Sequence, residues 1–165
     1  LGNTAGNFPQ REIFAALRCL LGDGDRLLLG LGLYQAAHAD EELQALGDLF
    51  SSAANCEFGL RFLDACGGKA DHRLTFARAE DDPAEAGVKV VRMCYRFPRA
   101  TVLTVDAKSI AFPKGAVLQW TESRRYPQGG VAAYLWKHGL AVVSHRQEGN
   151  HAVLLTRLRS RRARR

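Results

Sequence analysis

Arg26-Leu27-Leu28-Leu29-Gly30-Leu31-Gly32-Leu33 is the stretch on which the fold turns. It is a continuous apolar run without period-two alternation, the pattern of a parallel strand covered by helices on both faces. Upstream, Asp23-Gly24-Asp25 reads as a turn and Gly22 as the left-handed stop of a helix. The apolar face of that helix is Ile13, Phe14, Leu17, Leu20 and Leu21. Asn7 is expected to cap it with Gln10 three residues on, Pro9 is tolerated in the first turn, and Glu12 suits the positive helix end. Leu1-Gly2-Asn3-Thr4 reads as the end of a further strand, so the chain is expected to be a piece of a longer protein. Strand end, helix and strand make half of a parallel α/β sheet.

Downstream, residues 40–66 predict two helices, with Leu43, Leu46, Leu49 and Phe50 on the first apolar face and Phe58, Phe62 and Leu63 on the second. After Gly67-Gly68 the pattern becomes strand-like over His72–Arg78, Val88–Phe97, Thr101–Val105 and Ala116–Arg125, with turns at Asp81-Asp82-Pro83 and Pro113-Lys114-Gly115. This is the signature of an antiparallel patch inserted into the α/β unit. A helix face of Val131, Tyr134, Leu135 and His138 then ends at Gly139. Leu140–His145 and Ala152–Leu158 follow as two strands of a hairpin joined by Glu148-Gly149-Asn150. The expected organisation is an α/β core segment at 1–36, an inserted α+β subdomain at 37–126, a returning helix and terminal hairpin at 127–158, and a basic tail at 159–165.

At 165 residues the chain can bury roughly two-thirds of its extended surface, so neither disulfides nor metal are needed for stability. The net charge of +6 equals the contribution of Arg157, Arg159, Arg161, Arg162, Arg164 and Arg165. The body is therefore neutral, whereas a domain gripping nucleic acid carries positive charge across a folded face. The tail reads as a solvated terminus making at most loose contacts with phosphates or acidic lipid. No apolar run approaches the roughly 18 residues of a membrane span, and none resembles a signal peptide. Cys19, Cys56, Cys66 and Cys94 form no Cys-x-x-Cys pair and suit reduced thiols in a cytoplasm.

Leu1-Gly2-Asn3-Thr4-Ala5-Gly6-Asn7-Phe8, followed by Pro9, a helix, Gly24-Asp25 and the Leu27–Gly30 strand, resembles the histidine-specific S-adenosylmethionine-dependent methyltransferases of ergothioneine biosynthesis. Arg92-Met93 resembles the family's Glu-Met, and Thr121-Glu122-Ser123-Arg124-Arg125-Tyr126 its Thr-Glu-x-Ser-x-Lys-aromatic segment. A parallel sheet finishing with an antiparallel hairpin strand is also how Rossmann-like methyltransferases end. The resemblance implies the C-terminal half of a Rossmann-like sheet with an inserted substrate-binding subdomain, S-adenosylmethionine as cofactor, and the amino nitrogen of histidine or a related amino acid as methyl acceptor. It further implies that Asn7 binds the backbone end of the substrate, that Met93 lines the pocket, and that Thr121, Glu122 and Ser123 hold the side-chain ring. Thr121 and Glu122 compete for the ring-binding place, because neighbouring strand residues face opposite sides. Methyl transfer needs an unprotonated amine held in line with the methyl, so positioning outweighs a strong base. An amide such as Asn7 can donate to a carboxylate and accept from an amine.

No Gly-x-Gly-x-Gly occurs; Gly30-Leu31-Gly32 lies inside the apolar strand and Gly22-Asp23-Gly24 in a turn, so the cofactor contacts are expected outside this chain. The competing reading is a non-catalytic interaction module on the same fold, or weak nucleic-acid contact through the tail. His145 and His151 lack a third spaced ligand for zinc, and Cys56 reads as a buried helix thiol. Ser51-Ser52 and Ser123 lack a hydrolase elbow. Trp120 and Trp136 read as packing residues; Arg124 and Arg125, beside Tyr126, have the chemistry to bind a carboxylate bidentately, but solvated strand-end arginines are the commoner reading.

Overall fold

The computed structural model describes residues 6–159 and shows a mixed α/β protein of two units. The first comprises residues 6–39, 81–89 and 123–159; the second comprises 40–80 and 90–122. Residues 81–89, within the stretch read as inserted, pack in the first unit.

In the first unit, helix α1 (Gln10–Leu20) precedes strand β1 (Leu27–Tyr34), and helix α4 (Val131–Lys137) precedes strands β7 (Leu140–Glu148) and β8 (His151–Leu158). The C-terminal end of strand β6 (Val117–Pro127) completes the sheet in the order β6-β1-β8-β7. β6 runs parallel to β1, with Leu33 opposite Tyr126. β8 runs antiparallel to β1, from Leu27 opposite Thr156 to Gly32 opposite His151. β7 returns antiparallel to β8, and Glu148 opposite His151 leaves Gly149-Asn150 as the two-residue turn. This hairpin and the Gly139 helix stop, at φ 84, follow the sequence expectation.

The core of this unit sets Leu29, Leu31 and Leu33 of β1 and Leu154 of β8 against Phe14 and Leu17 of α1 and Leu135 of α4. α1 and α4 share one side of the sheet, where Phe14 meets Tyr134 edge-on. The opposite face is less covered: Leu28 is 55% exposed and Val153 48%. The expectation of a strand buried on both faces holds only toward its C-terminal end: among the even positions Leu28 is exposed and Gly30 half-buried, while Gly32 and Tyr34 are buried. Two helix-end expectations also change. α1 starts at Pro9 with no side-chain cap, so Asn7 is not its cap, and Gly22 is not a left-handed stop. Gly22 instead donates its N–H to Asp25 Oδ2 at 2.8 Å, closing the turn by a side chain.

In the second unit, helices α2 (Ala39–Phe50) and α3 (Ala53–Ala65) stand where the sequence places them. Strands β2 (Thr75–Asp81), β3 (Lys89–Arg96) and the start of β6 lie in that order. β4 (Thr101–Val105) and β5 (Lys108–Phe112) form a separate hairpin. β5 went unrecognised in the sequence because its two-residue turn is Asp106-Ala107, with φ 48 and 62, rather than the Asn-Gly or Asp-Gly that normally announces such a turn.

The core face of α3 also differs from expectation. Cys56, Leu60 and Leu63 are buried with Tyr95, Phe97 and Leu103, while Phe58 is 80% exposed and Phe62 is exposed too. Gly59 beside Leu60 explains the choice of face, because a Cβ there would fall within the Trp120 ring. The glycine lets the indole lie directly on the helix. No described helix is long and apolar enough to cross a membrane.

Candidate functional site

The first unit holds an unusual set of buried polar side chains, with Gln10, Asp82, Glu85, Ser123, Arg124 and Arg125 all nine-tenths or more buried. Arg124 and Arg125 are therefore not solvated strand ends: they are 5% and 7% exposed. Buried charges cost several kcal/mol each unless paired, so each of these groups requires a partner or a purpose.

Arg124 has its partner. Its Nε donates to Asp82 Oδ2 at 2.6 Å, and Asp82 Oδ1 accepts from the Ala84 N–H at 2.9 Å. Its Nη1 donates to the carbonyl oxygens of Phe8 at 2.9 Å and Gly6 at 3.4 Å. Gln10 Nε2 donates to the same Phe8 oxygen at 2.9 Å, while its Oε1 accepts from the Tyr126 hydroxyl. The Gly6-Asn7-Phe8 turn is thus held at both carbonyls by Arg124 of β6 and at the Phe8 carbonyl also by Gln10 of α1, and Asn7 stands exposed between the two held carbonyls.

Glu85 is met by Lys137 Nζ at 3.0 Å and by His138 Nε2 at 3.4 Å, a separation that suits an ion pair but not a well-aimed hydrogen bond. The His138 ring lies 5.1 Å from Phe14 and 4.6 Å from Tyr134, centroid to centroid. Desolvation among these rings depresses the His138 pKa, outweighing the opposite pull of Glu85. Burial also pushes Tyr126 and Tyr134 up, so both phenols stay neutral at physiological pH. A histidine with a depressed folded pKa contributes stability that is complete above the unfolded value of 6.5 and is lost as pH falls from there through the folded value. Urea midpoints at pH 7.5 and 5.5 should therefore show a smaller acid loss in His138→Gln than in the parent. An equal loss in both proteins would acquit the imidazole.

Arg125 has no counter-charge among the described residues. Its Nε is buried without a hydrogen-bond partner, and no ion pair to it is found among the described residues. Desolvation lowers its pKa from the usual 12.5, but a guanidinium so strongly basic remains charged. The side chain lies across β1 on Gly32, where a Cβ would come within 2.6 Å of its Cζ and 2.8 Å of its Cδ. The glycine that the sequence placed inside an apolar strand is what makes room for the cation.

The second unit places the other expected residues. Met93 in β3 is fully buried. Thr121 and Glu122 in β6 are half-buried. Glu122 accepts from Gln119 Nε2 at 3.1 Å and lies 3.5 Å from Arg92 Nε, which also pairs with Glu80. Of the five expected site residues, Asn7 and Ser123 belong to the first unit and Met93, Thr121 and Glu122 to the second. The second unit also holds a cleft of about 1050 Å³, rimmed by Lys69, His72, Arg73 and Arg99 and lined by none of the five. Arg73 beside Asp71 there holds that carboxyl at about 2.

Sequence reasoning missed Asp82, Glu85 and Gln10 as site-forming groups, having read Asp82 as part of a turn and Gln10 as the partner of an Asn7 cap. Its other readings resolve plainly. Cys56 is buried, with Sγ 3.1 Å from Thr75 Oγ1. Trp120 packs on Gly59, while Trp136 is half exposed under the Arg159 guanidinium. His145 lies opposite Leu154 and His151 opposite Glu148, so the two histidines do not face each other. Arg161, Arg162, Arg164 and Arg165 of the tail lie outside the described residues.

No family model matches the chain, and no curated protein does. Among solved structures, it is similar to the CcbJ methyltransferase from Streptomyces caelestis, at 12% identity and a TM-score of 0.35. The match covers 97% of this chain and 52% of that one, so the chain spans about half the length of that structure. Likeness of this degree does not fix a family.

Proposed function

We propose that this chain serves S-adenosylmethionine-dependent methyl transfer to the amino nitrogen of histidine or a related amino acid, and that its part is to bind and orient that acceptor. The observation that carries this reading is the clamped loop. Arg124 and Gln10 fix the backbone on both sides of Asn7 and leave its amide outward, at the segment whose sequence resembles the substrate-binding turn of histidine-specific methyltransferases. An amide carried on a backbone held in this way can donate to a carboxylate and accept from a neutral amine, which helps orient an amine before it attacks a methyl group. The strand order β1-β8-β7, with β8 antiparallel to both neighbours, supports the same reading.

The cofactor supplies the methyl group when bound. The described residues do not fit its nucleotide end: Gly22 and Gly24 are spent on a turn closed by Asp25, and Gly32 is filled by Arg125. On this reading the outward amide of Asn7 serves the amino-acid end of a ligand instead. Ser123, in the same unit as Asn7, then belongs to the acceptor site. Asn7→Ala, in the protein that carries out the transfer, should raise KM for the acceptor by about tenfold or more, with kcat changed less, as loss of a positioning hydrogen bond does. Steady-state kinetics with labelled S-adenosylmethionine and L-histidine measures it. An unchanged KM removes Asn7 from the site, and the absence of any transfer to amino acids removes the reading.

A further inference from the structure

We infer that Arg125 is the anchor of a carboxylate-binding subsite at the carboxyl ends of β1 and β6. Three observations converge on it. First, Arg125 as a residue is 7% exposed and its Nε is buried, yet its guanidinium meets no carboxylate among the described residues. Its neighbour Arg124, equally buried, is matched by Asp82 and two carbonyls, so the fold can satisfy an arginine here and leaves this one open. Second, Gly32 gives up its side chain to seat the cation: Leu33 opposite Tyr126 brings Gly32 and Arg125 side by side, one step back along two parallel strands. Third, both residues lie near the carboxyl ends of those strands, where open α/β sheets bind their ligands.

The chemistry narrows the ligand. A guanidinium fork matches the two oxygens of a carboxylate in its own plane, and in a water-poor seat such a pair is at its strongest. The carboxylate has two possible sources, the amino-acid acceptor or the methionine end of the cofactor. Assigning it to either rests on the methyl-transfer reading; the carboxylate chemistry itself does not.

The test follows the Arg125 Nε–H resonance of the full chain, identified by its loss in Arg125→Met, during titration with two ligand pairs. L-histidine is compared with histamine, which lacks the carboxylate, and S-adenosylmethionine with 5′-methylthioadenosine, which lacks the amino-acid end. A carboxylate subsite predicts that the resonance moves with the carboxylate member of at least one pair and not with its mate, and the pair that responds names the source. Arg125→Met should weaken that ligand at least tenfold. Arg125→Lys, which keeps the charge but not the fork, should weaken it by less. Gly32→Ala should evict the guanidinium and weaken it as Arg125→Met does. Without ligand, Arg125→Met should unfold at higher urea than the parent, because an uncompensated buried cation has been removed. A lower midpoint marks Arg125 as a structural residue and overturns the proposal, as does equal response to both members of each pair or no response to any. Carboxylate-dependent shifts in a protein that transfers no methyl group would leave the subsite standing and discard the methyl-transfer reading.

Discussion

Arg124→Met is expected to destabilise the first unit by about 3–5 kcal/mol, the cost of breaking a buried ion pair from one side. The substitution leaves Asp82 with its side chain 2% exposed and without its cation, and it strips donors from the carbonyls of Gly6 and Phe8. The Ala84 N–H still reaches Asp82 Oδ1, but one backbone donor cannot neutralise a buried carboxylate. Urea denaturation measures the loss, and the double variant Arg124→Met with Asp82→Leu should recover much of it, since an apolar pair of similar volume carries no stranded charge. A cost below about 1 kcal/mol for the single variant would mean that water reaches Asp82 and that the clamp on the Asn7 loop is not a buried one. Arg124 and Arg125, adjacent in sequence and equally buried, are thus expected to differ in the sign of their effect on stability.

Leu60→Ala and Phe58→Ala form the second test. Leu60 is 1% exposed in the core of the second unit with Cys56, Leu63 and Tyr95, so truncation should cost about 2–5 kcal/mol by lost burial and residual cavity. Phe58, two residues earlier on α3, is 80% exposed, and its truncation should stay within about 0.5 kcal/mol. Paired urea midpoints decide between the two faces of α3. A larger loss for Phe58→Ala would restore the face that the sequence pattern suggests and would place the Cys56-Leu60-Leu63 stripe outside the core.

That contrast shows where local pattern is a weak guide. Phe58, Phe62 and Leu63 and the stripe Cys56, Leu60 and Leu63 are both acceptable helical faces, and hydrophobicity alone favours the one with more aromatic area. The choice is made by a glycine. Gly59 admits the Trp120 ring from a strand some sixty positions away, and burial follows that contact rather than the larger side chains. The missed β5 has a similar cause, because Asp106 and Ala107 adopt positive φ without the glycine that usually signals it.

Periodicity and turn chemistry alone determined the mixed α/β class, a helix before Gly22, two helices within 40–66, the apolar strand at 26–33 and the terminal hairpin, whose bounds the structure then fixed. These are local properties, in which residues a few positions apart either share a face or break one. The sequence also singled out Asn7, Ser123 and the Arg124-Arg125 pair as residues to consider. Only the tertiary structure decided their circumstances: that Asn7 does not cap α1 but sits in a short turn held by Arg124, that Asp82 from an apparent turn neutralises Arg124, and that Arg125 lies buried on Gly32 without a counter-charge among the described residues. Whether a charge is solvated, paired or stranded depends on neighbours up to 118 residues apart in the chain. Local patterning carries no record of those distances, and the desolvation that makes Arg125 informative exists only once they are closed.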